Sequence, residues 1–176
     1  MSVLTLLIVL GISLWALALG LTIWGTRLSI RLFNKGAPHM DAPFNLYPVS
    51  ILKPLKGVDG ELVRNLESFF GLDYPDFELL FSVAQASDPA YAVASRLMAR
   101  YPKVKARIFC GETIVGINPK INNMLGAYEG AANDWVLVSD SNVRVKPDYL
   151  KRLVAHLEPG VGMVTAVVAG HEAGGI

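Results

Sequence analysis

Cysteine is nearly missing from this sequence: Cys110 is the only one among 176 residues. No internal disulfide can form and no thiolate cluster offers itself to zinc, a usage that fits a reducing, cytoplasmic compartment. A charge imbalance is missing too. Sixteen basic and 15 acidic residues leave a net charge of +1, and the basic residues are scattered rather than gathered into a stripe, so the chain does not read as a nucleic-acid module. Internal repeats and low-complexity segments are not found. Most telling, residues 1–26 carry no charged side chain at all.

What is there is apolar, and unevenly so. Hydrophobic residues make up 52% of the chain and mean hydropathy is +0.40, above the roughly 45–50% ordinary for soluble domains. The excess lies in the first 33 residues. As a helix, residues 1–26 would reach about 39 Å, more than the ~30 Å hydrocarbon core of a bilayer. Trp24 stands near the inner end, and Arg27, Arg31 and Lys35 follow. That positive flank predicts a single transmembrane anchor over 1–26, embedded in the lipid bilayer, with the rest of the chain on the cytoplasmic side. A cleaved signal peptide fits less well, because the apolar run is too long and lacks a basic start. Residues 27–48 read as a basic juxtamembrane segment and a Pro/Gly/Asn-containing linker.

From 49 to 176 strand and helix signals alternate. Strands are expected at Val49–Leu52, where Pro54 would stop the run, and at Phe77–Ala84, Val104–Phe109, Trp135–Val138 and Val161–Val168. Helices are expected after Asp59, which can cap a face of Leu62, Leu66, Phe69 and Phe70, and from Pro89 with Val93, Leu97 and Tyr101. Two more follow, from Pro119 with Ile121, Leu125 and Tyr128 on one side and from Pro147 with Leu150, Val154 and Leu157. Alternation with nearly continuous apolar strands predicts an α/β fold around a mostly parallel sheet, whose ligands bind beyond the carboxyl ends of the strands.

Four strand-end segments carry possible chemistry. Lys53-Pro54-Leu55-Lys56-Gly57 can meet a phosphate or form a solvated turn. Asp88, before Pro89, suits a helix N-cap and also stands where a ribose or base would approach. Val138-Ser139-Asp140-Ser141-Asn142 delivers a carboxylate to an acidic turn, fit either for an Asx turn or for a divalent cation on a diphosphate. Lys120 falls in the first turn of a helix capped by Asn118, where a cation is misplaced unless an anion sits there. Asn122 and Asn123 are poor helix-interior residues and call for a polar contact.

Several of these stretches resemble the ceramide glucosyltransferases. The run from Val49 to Asp59 looks like that family's opening strand, followed by Asn65-Leu66-Glu67-Ser68-Phe69-Phe70 and Leu72-Asp73-Tyr74-Pro75. Gly116-Ile117-Asn118-Pro119-Lys120-Ile121-Asn122-Asn123 is similar to its most distinctive stretch, and Asp140-Ser141-Asn142-Val143-Arg144-Val145 to its metal-site segment. The likeness runs in unbroken order over about residues 49–165. It implies a GT-A fold, a Rossmann-like mixed sheet preceded by one transmembrane helix. It also implies an inverting transfer of a hexose, glucose from UDP-glucose, onto a membrane lipid such as ceramide, in glycosphingolipid biosynthesis.

The resemblance implies donor contacts from Lys53, Pro54, Asp88, Lys120 and Asp140, with a divalent cation (Mg2+ or Mn2+) on Asp140 and Asn142. Asn142 stands where a second acid is usual, and Gln85-Ala86-Ser87 is poorer in acids than its counterpart in animal relatives, which suggests a bacterial-type branch and an inner-membrane location. The family's base-bearing acid, its Gln/Arg-x-x-Arg-Trp segment and its C-terminal membrane helices are not matched. Glu158 and Glu172 have no context for a base. The sequence is therefore expected to be an incomplete piece that binds donor weakly and does not turn over. The competing expectations are a hopanoid or other lipid acceptor with UDP-N-acetylglucosamine, and a non-catalytic membrane-anchored UDP-binding module.

Overall fold

The computed structural model describes residues 2–33 and 45–170. Lys35, most of the linker and Glu172 lie outside the described residues. The chain divides into two units, Met1–Asp41 and Ala42–Ile176.

In the first unit, helix α1 runs from Val3 to Phe33, beyond the uncharged stretch and through Arg27 and Arg31. It is long and apolar enough to cross a membrane. Three of its hydroxyls are turned back on the helix itself: Ser13 Oγ donates to Val9 O, Thr22 Oγ1 to Ala18 O and Thr26 Oγ1 to Thr22 O. Such bonds let these three hydroxyls find an acceptor without leaving an apolar medium.

In the second unit, four strands form one parallel sheet in the order β3-β2-β1-β4. They are β1 (Val49–Leu55), β2 (Phe77–Val83), β3 (Lys105–Cys110) and β4 (Trp135–Val138). Helices α2 (Leu62–Phe70), α3 (Pro89–Arg100), α4 (Pro119–Glu129) and α5 (Tyr149–Val154) complete it. The side-chain period of two sends Val49, Ile51 and Leu55 of β1, with Leu79, Phe81 and Val83 of β2, into the larger core shared with α2, α3 and α5. Leu52 and Leu80 point the other way, against Met124 and Ala127 of α4.

Three expectations change. Strand β1 does not stop before Pro54 but continues to Leu55, still in register with Ser82 and Val83. Leu52 O accepts from Ser139 N, so Leu52 and, two residues on, Pro54 turn their backbone groups toward β4. The β1–β4 ladder has already ended at Leu52 and Val138, and the missing proline N–H costs no ladder bond.

Helix α4 buries a different face from the one expected. Ile121 and Tyr128 are exposed, while Asn122, Asn123, Met124 and Ala127 are buried, because the two asparagines find backbone partners described below. Residues 161–168 form no strand. Gly160 and Gly162 flank the start of that run, and Gly162, Met163 and Val164 instead line a small cavity beside Trp135–Leu137, Leu153 and Leu157, as irregular chain.

Candidate functional site

A cavity of about 750 Å³ opens at the carboxyl ends of β1, β2 and β4, a size in the range of nucleotide and cofactor sites. Its wall includes Pro54, Lys56, Asp88, Lys120, Asp140 and Asn142, together with Asp59, Glu112 and Asn123. Five of the six residues expected to hold a donor or metal are thus brought together. Lys53 is the one that is not.

Asp88 caps α3 as expected, lines the cavity and takes a further partner. As N-cap of α3 its Oδ1 accepts from Ala90 N at 2.9 Å, and the same carboxylate accepts from Gly57 N, both oxygens standing 3.0 Å away. Gly57 adopts φ +66°, a left-handed conformation that favours glycine, and so aims its N–H across the strand gap. The loop after β1 and the start of α3 are tied at one carboxylate.

Helix α4 is fixed by its asparagines. Asn118 caps it, accepting from Lys120 N at 3.0 Å. Asn122 Oδ1 accepts from Val115 N and Gly116 N at 3.0 and 3.2 Å, and its Nδ2 donates to Gly116 O at 2.9 Å, closing the preceding loop. Asn123 Nδ2 donates to Leu55 O and Ser82 O at 3.4 and 3.3 Å, pinning α4 to the ends of β1 and β2. The polar contacts these asparagines called for are therefore to the backbone. This anchoring sets Lys120 over the turn after β4, where its ammonium pairs with the Asp140 carboxylate. The anion demanded by a lysine at a helix N-terminus is supplied by the protein itself.

The turn carrying Asp140 is held from three sides. Val143 N donates to Asp140 O at 3.2 Å. Beyond it, Arg144 Nε donates to Asn65 Oδ1 at 3.3 Å and Val145 N to Ser68 Oγ at 3.1 Å, while the Arg144 guanidinium also pairs with Glu61. Sequence reasoning missed this link, although its signal was present: a polar Asn65 inside an otherwise apolar face of α2. From beneath, the fully buried Lys53 Nζ donates to Asp140 O at 2.7 Å and to Ser139 Oγ at 3.2 Å. It also lies 3.6 Å from the centroid of the Phe69 ring. Burial lowers the Lys53 pKa to about 7, against the opposing pull of the Asp140 charge.

Among the described residues no group of three or more His, Cys, Asp or Glu is placed to hold a metal ion. Asp140 and Asn142 offer oxygen donors to the cavity, and a cation, the Lys120 ammonium, already stands on the Asp140 carboxylate. That donor set fits a hard divalent ion whose remaining ligands come from water and phosphate oxygens, the usual manner of Mg2+.

Comparison with known proteins agrees with this geometry. The family described as Glycosyl transferase family 21 matches residues 5–176. Ceramide glucosyltransferase 3 of Caenorhabditis elegans is 48% identical over 100 residues, covering 57% of this chain and 22% of that protein. The ceramide glucosyltransferase of Komagataella phaffii is 39% identical over 119 residues, covering 65% of this chain and 23% of that protein. The chain thus spans less than a quarter of the length of these relatives. A mannosyltransferase from Pyrobaculum calidifontis, solved in complex with GDP-Man and Mn2+, superposes with a TM-score of 0.68 at 18% identity, over 86% of this chain and 44% of that one. At such identity the likeness speaks for the fold.

Proposed function

Because the chain belongs to glycosyl transferase family 21 and has a GT-A fold, we propose that it forms the membrane-anchored, nucleotide-sugar-binding part of a glycosyltransferase. The reaction it serves moves glucose from UDP-glucose to the primary hydroxyl of ceramide or a closely related membrane lipid. The observation that carries this reading is the cavity itself: Asp140, Asn142, Lys120 and Asp88 converge at the carboxyl ends of the strands, on segments lying within the family match.

In this reading Asp88 faces the uridine with the lone pairs not committed to Gly57 and Ala90. Asp140 and Asn142 hold a divalent cation, which when bound stabilises the charge on the departing diphosphate. Lys120 exchanges its partner Asp140 for a diphosphate oxygen and gains from the helix N-terminus beneath it. Transfer then forms a bond between the acceptor oxygen and the anomeric carbon as the bond to UDP breaks, with inversion. The acceptor proton passes to a carboxylate base, which we assign to the part of the relatives' length that this chain does not span. The positive flank of α1, Arg27 and Arg31, supports a cytoplasmic position for the second unit, where UDP-sugars are available to it.

The test is a titration of UDP into the 176-residue chain in detergent, with and without Mn2+. Binding should strengthen with the metal, and Asp140→Asn should remove most of that gain, about tenfold or more in affinity. A folded chain whose UDP affinity ignores both the metal and the substitution would overturn the donor-site assignment.

A further inference from the structure

Lys53 is fully buried, and it sits in a register reserved for the core. Positions 49, 51 and 55 of the same strand face carry Val, Ile and Leu, all in the main apolar cluster, and an ammonium at the intervening position is costly unless something requires it. An ammonium has three N–H donors. One goes to Asp140 O, one to Ser139 Oγ, and the remaining face of the group rests on the Phe69 ring. No carboxylate oxygen hydrogen-bonds to it among the described residues, in contrast to the other buried charge, Glu78, which pairs with Arg107. Lys53 also takes no part in lining the cavity. Both of its hydrogen bonds are thus directed at one object, the Ser139–Asp140 turn that presents Asp140 and Asn142.

We propose that Lys53 is a positioning residue for the donor site: its ammonium fixes the Ser139–Asp140 turn from the core side, so that Asp140 and Asn142 are held in place for a cation on a nucleoside diphosphate, without itself touching that ligand. The inference rests on the donor-site reading above. A lysine kept for packing alone would be better served by an apolar chain of similar length; one kept for the turn cannot be so replaced without loosening it.

The experiment compares Lys53→Met with the unsubstituted 176-residue chain in detergent by three measurements. Thermal unfolding should show the variant as stable as the parent or more so. Hydrogen exchange should quicken in the 139–143 segment and stay unchanged in β2. Affinity for UDP in the presence of Mn2+ should fall about tenfold, the scale of one lost charge-assisted hydrogen bond. A variant that unfolds earlier yet keeps its metal-dependent UDP affinity would overturn the proposal, as would a stable variant with unaltered exchange at 139–143. Ser139→Ala removes one acceptor while leaving the lysine in place, and gives a second reading should Lys53→Met not fold. Faster exchange at 139–143 is expected there too, and unchanged exchange would count against the proposal. If the unsubstituted chain shows no metal-dependent UDP binding, the donor-site reading fails on that result, while exchange at 139–143 still reports whether Lys53 holds the turn.

Discussion

The two ends of the parallel sheet use their charged side chains in opposite ways. At the amino end, Glu78 accepts from Ser50 Oγ and Ala132 N at 2.7 Å and from Arg107 Nη2 at 2.9 Å. Ser50 Oγ in turn accepts from Asn133 N at 3.2 Å. The carboxylate is saturated by its own protein and ties β1, β2, β3 and the approach to β4 together. At the carboxyl end, Asp88 and Asp140 are only partly engaged, Lys120 is shared, and a cavity lies between them. A saturated buried charge stabilises a fold; charged groups with unspent hydrogen-bonding capacity around an opening can accept a ligand. On the proposed reading the amino end holds structural polarity and the carboxyl end the polarity of the donor site, and substitutions at each end can break that contrast.

The largest effect is expected at the amino end. Glu78→Gln leaves Arg107 without its carboxylate and turns an N–H₂ group among donors, so stability should fall by about 2 kcal/mol, with UDP affinity per folded molecule unchanged. Burial alone would raise the Glu78 pKa, but the hydrogen bonds from Ala132 N, Ser50 and Arg107 outweigh it and hold the carboxyl below its ordinary value. Its stabilisation is therefore fully present above the ordinary glutamate range and is lost as pH falls below that range through the lower folded value. Chemical denaturation across the acid range should show a shallower decline for the variant than for the parent. An equal slope would mean that Glu78 is not the group responsible.

Next in size is Asp88→Ala, which sharpens the comparison because Asp88 serves both ends of the argument. Loss of the α3 cap and of the Gly57 tether should cost roughly 1.5 kcal/mol. Unlike Glu78→Gln, it should also weaken UDP binding. If isothermal titration finds UDP affinity intact while the melting temperature falls, Asp88 belongs with Glu78 as a structural carboxylate.

Much of this was legible in the sequence. The nearly continuous apolar runs of β1 and β2 marked them as buried parallel strands, and Asp88-Pro89 and Asn118-Pro119 marked two helix starts that the structure caps as expected. What was not legible depended on contacts distant in sequence. A face of α4 built on Ile121, Leu125 and Tyr128 is the natural reading of apolar spacing. It fails because Asn122 and Asn123 bond to backbone of Val115, Gly116, Leu55 and Ser82. The strand expected at 161–168 fails because a strand needs a neighbour to receive its backbone bonds, which apolar composition cannot supply. Its strand-end place makes Lys53 look like a phosphate contact or part of a solvated turn, whereas its register with Val49, Ile51 and Leu55 puts it in the core.

The smallest effect tests whether the cavity loop is shaped by its glycine or by Asp88. A Cβ built on Gly57 meets no atom within 4 Å, so Gly57→Ala introduces no clash, and any cost comes from the backbone alone. At φ +66° an L-residue is disfavoured by about 1 kcal/mol. If the alanine variant keeps the conformation, it loses that much stability and UDP affinity is unchanged, because the N–H still reaches Asp88. If the loop instead relaxes out of the left-handed region, the stability loss shrinks while the Asp88 carboxylate loses its Gly57 partner. UDP affinity is then expected to move in the direction predicted for Asp88→Ala but by less. Measuring both quantities on the one variant therefore distinguishes a loop held by the carboxylate from one held by glycine's own freedom.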